Sequence, residues 1–90
     1  MKLIFRQHAI RRMFERGIGV LDVEHVLIHG RVIEDYPADT PYPSQLLLGR
    51  SSGKDLHLVA AVNGEERIIV TVYEPDPSLW STDFSTRRKS

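Results

Sequence analysis

Apolar residues recur with two different periods along this chain, and the change of period divides it into a helical part and a strand part. Up to Gly30 they recur every three or four residues, which predicts two short amphipathic helices over about residues 7–16 and 20–29. Gly17 is suited to the left-handed position that follows the first helix, and Gly30 ends the second. The short link between the helices predicts an αα-hairpin.

After Gly30 the apolar positions alternate, as they do in β-strands. Four strands are predicted, over about residues 31–36, 45–49, 55–62 and 67–73. A loop with three prolines separates the first two, and Asn63-Gly64 indicates a tight hairpin between the last two. Residues 2–5, ahead of the first helix, are either a further short strand or an extended lead-in.

These elements predict an α+β fold in a single domain over residues 1–90. The N-terminal αα-hairpin packs on one face of a four-stranded antiparallel sheet. The other face is left for water or a partner. Residues 75–90 form a tail, which we expect Leu79, Trp80 and Phe84 to dock on the core.

Composition narrows the class of protein. Of the 90 residues, 41% are hydrophobic and 27% charged, which is typical of an ordered globular protein. The chain has no cysteine, which excludes disulfides and thiolate metal sites and makes the cytoplasm the default compartment. No apolar run approaches the roughly 20 residues of a membrane helix, and the N-terminus lacks a signal-peptide pattern. We therefore expect a cytoplasmic protein without membrane contact.

The formal net charge is zero, but the charges are unevenly distributed. Residues 1–16 hold five basic side chains and one acidic one, residues 17–86 hold four basic and eleven acidic ones, and residues 87–89 are all basic. Such asymmetry can create a basic face for a polyanion on an acidic body. Ordinary charge scatter is the alternative.

Histidines and arginines are the first candidates for chemistry. His8, Arg12 and Arg16 fall at i, i+4 and i+8 along one edge of the first helix, so they form either a phosphate site or a solvated edge. His25 and His29 have the i, i+4 spacing of paired metal ligands. Because no third ligand accompanies them, we expect neither a metal nor another cofactor.

His57 interrupts an apolar strand, where it is either a structural side chain with its own hydrogen-bond partners or a candidate for chemistry, and the hairpin register decides what it faces. If residues 63–65 form a three-residue loop, His57 lies opposite Thr71 and on the same face as Tyr73. A two-residue or four-residue loop directs it away from both. If the first helix also crosses that face, one site contains His8, Arg12, His57, Thr71 and Tyr73.

These residue types suffice for metal-free RNA cleavage. Two histidines can supply the base for the 2′-hydroxyl and the acid for the leaving 5′-oxygen, and arginine can hold two phosphate oxygens. Four further side chains are candidates for RNA binding: Arg16, Tyr42, Arg87 and Arg88. The alternative for Tyr42 is a cover for the core, and for Arg87 and Arg88 a frayed basic tail.

A series of short motifs runs through almost the whole chain. In order, and ending near Trp80, they are His8-Ala9, Arg12, Glu15-Arg16-Gly17-Ile18, Gly30-x-Val32-Ile33-Glu34-Asp35-Tyr36-Pro37, Asp39, Pro41-Tyr42-Pro43, Leu56-His57 and Thr71-Val72-Tyr73-Glu74-Pro75-Asp76-Pro77. The set resembles the small bacterial family called domain of unknown function 4258. Such domains have been grouped with the barnase/colicin/RelE-like ribonucleases, and they occur beside zinc-ribbon and helix-turn-helix antitoxins.

The resemblance implies a RelE/barnase-like fold and a toxin-like, metal-independent endoribonuclease of a toxin–antitoxin pair. It implies RNA as substrate and a cognate antitoxin protein, of zinc-ribbon or helix-turn-helix type, as partner. The positions carried over to the site are His8, Arg12, His57, Thr71 and Tyr73. The alternative is a non-catalytic protein-interaction module of the same fold, which would present its open sheet face or an edge strand to another protein.

Overall fold

Two helices and five strands make up the fold, in a computed structural model that describes residues 1–89. In chain order the elements are β1 (Lys2–Phe5), α1 (Gln7–Arg16), α2 (Val20–His29), β2 (Arg31–Tyr36), β3 (Ser44–Ser51), β4 (Lys54–Asn63) and β5 (Glu66–Tyr73). The strands form one sheet in the order β1-β5-β4-β3-β2. The predicted α+β class is confirmed.

The sheet is five-stranded and mixed, so the prediction of four antiparallel strands was wrong. β1 is the additional strand, and it pairs in parallel with the first half of β5, from Lys2 opposite Glu66 to Phe5 opposite Ile69. A segment of four residues is too short to show the alternation of a strand, and its partner, β5, is the last strand in the sequence. The local pattern therefore could not predict this pairing. The remaining neighbours pair antiparallel.

The helices span the ranges read from the sequence, and both pack on one face of the sheet. Gly17 adopts the left-handed conformation after α1, with φ 65°. Ala9 and Met13 of α1 and Val23 and Val26 of α2 are buried. They form one cluster with strand residues that share this face, among them Leu47, Leu56, Leu58, Ile69 and Val72.

The turn between β4 and β5 is the two-residue alternative and not the three-residue one. Asn63 pairs with Glu66, so only Gly64 and Glu65 remain in the turn, and Gly64 has φ 58°. By itself this turn would direct His57 away from Tyr73. A bulge in β5 leaves Val70 without a partner and shifts the register by one residue. His57 consequently lies directly opposite Tyr73, and Val59 opposite Thr71.

The face of the sheet opposite the helices is not left open. Its His57 and Leu46 are buried, and residues 75–89 lie across part of it; we call this segment the C-terminal strap. Trp80 docks the strap as predicted, with 3% of its surface exposed, whereas Leu79 is 61% exposed and does not. The predicted tail extended to Ser90, which lies outside the described residues.

Because the helices pack on the Leu58 face, α1 does not cross the face that carries His57. The condition for placing His8 and His57 in one site, an α1 that crosses the face carrying His57, is therefore not met. Within residues 1–89 neither helix has the length and apolar character required to cross a bilayer.

Candidate functional site

A cavity of about 440 Å³ opens at the edge of the sheet, between α1, the second half of β5 and the C-terminal strap. β1 pairs only with the first half of β5, so this part of the edge is left for side chains. We call it the arginine cavity, and its lining residues are Arg12, Arg16, Thr71, Tyr73, Glu74, Asp76, Leu79, Trp80 and Arg87. The structure thus brings Arg12, Thr71 and Tyr73 together with two of the predicted RNA-binding arginines.

Arg12 and Arg16 enter the cavity from α1. They are one helical turn apart, so their side chains project from the same edge of the helix. Ala9 and Met13 anchor the adjoining stripe of α1 in the core, which fixes the rotation of the helix and aims the arginines across the sheet edge. The C-terminal part of this helix edge, with Arg12 and Arg16, therefore fits the phosphate-site interpretation and not that of a solvated edge.

His57 lies directly behind Tyr73 and has no exposed surface. Its Nδ1 is 3.2 Å from the Tyr73 hydroxyl, and its Nε2 is 2.8 Å from the backbone oxygen of Phe84 in the strap. Trp80 packs edge-on against the imidazole, with ring centroids 4.4 Å apart. His57 is therefore shielded from any ligand in the cavity, and it can act there only through Tyr73.

The contacts of His57 define its tautomer. Burial lowers the pKa of His57 below the ordinary 6.5, although the bond to Phe84 and the charge of Glu34 oppose this. The ring is accordingly neutral near pH 7 and carries one proton. Since the oxygen of Phe84 can only accept, that proton is on Nε2. Nδ1 is left as an acceptor, and the Tyr73 hydroxyl donates to it.

Tyr73 presents its hydroxyl at the junction of the cavity and the buried imidazole. Burial raises the pKa of Tyr73, Arg87 lowers it and Glu34 raises it, and the net direction is upward. The hydroxyl therefore keeps its proton at neutral pH. Its hydrogen bond to His57 gives that proton a defined acceptor.

Arg87 is held in the cavity wall by a carboxylate and an aromatic ring. Its Nε donates to Glu34 Oε2 at 3.1 Å and its Nη2 to Glu34 Oε1 at 3.3 Å. Its guanidinium lies 4.6 Å from the centroid of the Trp80 ring. Tyr36 donates a further hydrogen bond to Glu34. A guanidinium has five N–H donors, so Arg87 keeps free donors for an anion.

The charge of Glu34 is stabilised by these neighbours. Burial raises the pKa of Glu34, but the hydrogen bonds from Tyr36 and Arg87 outweigh it and the net shift is downward. Glu34 is therefore ionised at neutral pH and holds Arg87 as a fixed cation.

Residues 87 and 88 do not form the frayed tail that was the alternative for them, since Arg88 Nε donates to the Pro77 oxygen at 2.9 Å. Arg88 is not among the cavity's lining residues.

Two carboxylates also line the cavity. Asp76 holds a turn, because it accepts bonds of 2.8 Å from both the backbone nitrogen and the hydroxyl of Ser78, and these lower its pKa. Glu74 is exposed and was not singled out from the sequence. Its position directly after Tyr73, at the end of the last predicted strand, is the signal that could have identified it.

His8 and Tyr42 lie elsewhere, in a second cavity of about 430 Å³ lined by Arg6, His8, Asp39, Thr40, Pro41, Tyr42, Ala61 and Val70. The structure therefore does not bring His8 into one site with Tyr73 and His57. The physical reason is the start of α1. Arg6 donates to the Ile69 oxygen, so the first turn of the helix lies over the middle of β5 and only later turns reach the Tyr73 end.

His25 and His29 lie side by side on α2, with ring centroids 4.6 Å apart. Among residues 1–89, no group of three or more His, Cys, Asp or Glu side chains is placed to hold a metal ion. The pair has no assigned role in the site.

The fold and the site define a small α+β domain with a cationic cavity at the edge of its sheet. The chain belongs to the family described as a domain of unknown function (DUF4258), which it matches over residues 5–74. Comparison with curated proteins and with solved structures finds no match. The family match includes Arg12, Arg16, Thr71 and Tyr73, whereas Trp80 and Arg87 of the C-terminal strap lie beyond it.

Proposed function

We propose that this protein is a cytoplasmic, metal-independent endoribonuclease, a toxin of the RelE/barnase-like superfamily. The observation that supports the proposal is the arginine cavity, where three arginines line the same cavity as a tyrosine whose hydroxyl is hydrogen-bonded to a buried neutral imidazole. RNA carries its own nucleophile, the 2′-hydroxyl. The protein must therefore supply a base, a cationic cradle for the phosphate and orientation.

In the proposed step, the 2′-oxygen attacks the adjacent phosphorus and the bond from phosphorus to the 5′-oxygen breaks. The products are a 2′,3′-cyclic phosphate and a 5′-hydroxyl. The proton of the 2′-hydroxyl passes to the Tyr73 oxygen while the Tyr73 proton passes to Nδ1 of His57. The 5′-oxygen takes a proton from water, and His57 later returns its extra proton to solvent through Tyr73.

The arginines stabilise the charge that develops on the phosphate. Arg12 and Arg16 reach the cavity from one side and Arg87 from the other, so a phosphate between them meets donors from two directions. Arginine binds two phosphate oxygens at once, which a point charge cannot do. Tyr73 is the catalytic residue of this scheme, and His57 is a positioning and proton-accepting residue that acts through it.

Cleavage of a fluorescent RNA in the presence of a metal chelator tests the proposal. We expect Tyr73→Phe and Arg12→Ala each to lower the single-turnover rate by about 10²–10⁴-fold, the range for a positioned acid, base or charge-stabilising donor. Arg11→Ala is the matched control, because Arg11 is the next residue on α1 and lines a different surface cavity. Products should end in a 2′,3′-cyclic phosphate.

Glu74 provides the competing assignment for the base. If Glu74→Gln removes the activity and Tyr73→Phe does not, Glu74 is the base and the Tyr73–His57 relay is wrong. If wild-type protein, free of contaminating nuclease, leaves RNA intact, or if Arg12→Ala cleaves as fast as wild type, the ribonuclease proposal itself is wrong.

We further propose that the outer side of α1 binds the cognate antitoxin, of zinc-ribbon or helix-turn-helix type. Phe14 is 91% exposed, and together with Ile10 it lines a separate surface of α1 that shares no residue with the arginine cavity. Exposed apolar patches of this kind are typical of protein interfaces. Phe14→Ser should leave RNA cleavage unchanged and abolish capture by the antitoxin; unchanged capture would exclude this surface.

A further inference from the structure

We propose that the second cavity is a nucleobase subsite that takes the nucleotide next to the phosphate in the arginine cavity and favours a base with an exocyclic amino group over uracil. The inference rests on the proposed function, since it assigns the neighbouring nucleotide of the same RNA strand. Its main residues are Tyr42, Asp39, Arg6 and His8.

The two cavities are lined by neighbouring positions of both α1 and β5. Val70 lines the second cavity and Thr71, the next residue, lines the arginine cavity. On α1, His8 lines one and Arg12 the other, and one helical turn rises only about 5.4 Å. A single strand that places a phosphate between the arginines can therefore place an adjoining nucleotide in the second cavity.

The lining of the second cavity has the chemistry of a base site. Tyr42 is half-buried and lines the cavity, where its ring can stack on a base. Such stacking tolerates every base and is a main source of affinity for single strands. Arg6 adds a positive charge for the flanking phosphate.

Asp39 provides the selectivity. Its Oδ2 accepts from the hydroxyl of Ser44 at 2.6 Å, and its Oδ1 accepts from the backbone nitrogen of Thr40 at 3.2 Å. Ser44 is itself buried, so the carboxylate is held on a fixed support. Each oxygen keeps a lone pair for a ligand. A carboxylate accepts from the amino group of cytosine, whereas uracil presents a carbonyl oxygen at the same position and is repelled.

The test uses 2′-O-methyl dinucleotides, which cannot be cleaved, titrated into the full chain by NMR. The probes are C–C, U–U and two analogues of C–C, each of which lacks one base. We expect Tyr42→Leu to weaken C–C binding by about 5- to 150-fold, the range for losing one stacked base, and the control Tyr42→Phe to leave it unchanged. One of the abasic analogues should bind wild type as weakly as C–C binds Tyr42→Leu. The affinity for that abasic analogue should be the same for wild type and Tyr42→Leu.

Asp39→Asn should reduce the preference for C–C over U–U, because an amide can also donate to the uracil carbonyl. The proposal is overturned if Tyr42→Leu binds C–C as wild type does, or if both abasic analogues bind wild type as tightly as C–C. The second comparison needs no substitution, so it decides even where Tyr42→Leu fails to fold. RNA cleavage that persists alongside either result would leave the ribonuclease proposal standing, whereas absence of all binding and cleavage would overturn both.

Discussion

At the scale of single residues, His57 is the side chain whose meaning changes most between sequence and structure. A histidine in an apolar strand near Thr71 and Tyr73 suggested a catalytic group in contact with RNA. In the structure it is fully buried, with its two nitrogens bonded to Tyr73 and to the backbone of Phe84. Its partner in the strap, Phe84, lies eleven residues after the end of β5, in a segment without apolar periodicity, so no sequence pattern predicted the contact.

The buried neutral state of His57 makes the protein sensitive to mild acid. Its pKa is lowered on folding, so below about 6.5 the unfolded chain takes up a proton that the folded chain does not. The free energy of unfolding should therefore be highest above pH 6.5 and fall as the pH drops below it. The slope approaches at most about 1.4 kcal/mol per pH unit, and the loss ends below the folded-state pKa.

Urea unfolding of wild type and His57→Gln between pH 7.5 and 5.5 measures this contribution. The other three histidines are common to both proteins, so the difference between the two slopes isolates His57. The lowered pKa of Glu34 acts only below its ordinary value of 4.5, outside this window. Equal slopes would mean that His57 is protonated as readily in the folded protein as in the unfolded one.

At the scale of elements, local patterns predicted most of the fold and pairings between distant segments did not follow from them. The helix ranges could be read from apolar spacing and from Gly17 and Gly30, because these signals are local. The position of Tyr73 opposite His57 depends on the Gly64 turn and on the Val70 bulge together. Each shifts the register by one residue, and only their sum places the two side chains on one face. Val70 is an ordinary strand residue, so the sequence gives no signal for a bulge at this position.

The contact between α2 and β3 gives a prediction at this scale. A Cβ atom at Gly49 would stand 3.0 Å from both γ-methyl groups of Val26, so the helix packs here directly on the strand backbone. Gly49→Ala should lower the free energy of unfolding by about 1–3 kcal/mol, the usual cost of overpacking. In a Val26→Ala background the same substitution should cost clearly less, because the obstructing methyl groups are gone.

Urea unfolding of the wild type, the two single variants and the double variant completes this double-mutant cycle. Gly53→Ala is unsuitable as a comparison because Gly53 has φ 75°, where alanine is strained whatever the space around it. Strict additivity of the two substitutions would show that the cost at position 49 does not come from Val26.

At the scale of the whole molecule, the chain brings its two basic ends to one place. The sequence showed basic residues at 1–16 and 87–89 around an acidic middle, but it did not show that the ends meet. The C-terminal strap joins them, since Trp80 docks beside His57 and carries Arg87 to the cavity that α1 supplies with Arg12 and Arg16. A net charge of zero is therefore compatible with a local cluster of three arginines, which Glu74 and Asp76 of the same lining offset in part.

This arrangement predicts how RNA binding depends on salt. With no net charge to attract RNA at a distance, the salt dependence should count the cations that contact phosphate, at about −0.7 per contact for a single strand. Arg87→Ala should reduce the magnitude of the slope of log K against log salt by about 0.7, and Arg88→Ala, outside the cavity lining, should leave it unchanged.

The Arg87 side chain is largely exposed, so its ion pair with Glu34 contributes no more than about 1 kcal/mol to stability, and both variants should stay folded. Fluorescence anisotropy with a 2′-O-methyl oligonucleotide at several salt concentrations measures both slopes. Equal slopes for wild type and Arg87→Ala would mean that Arg87 only fastens the strap and does not contact the phosphate.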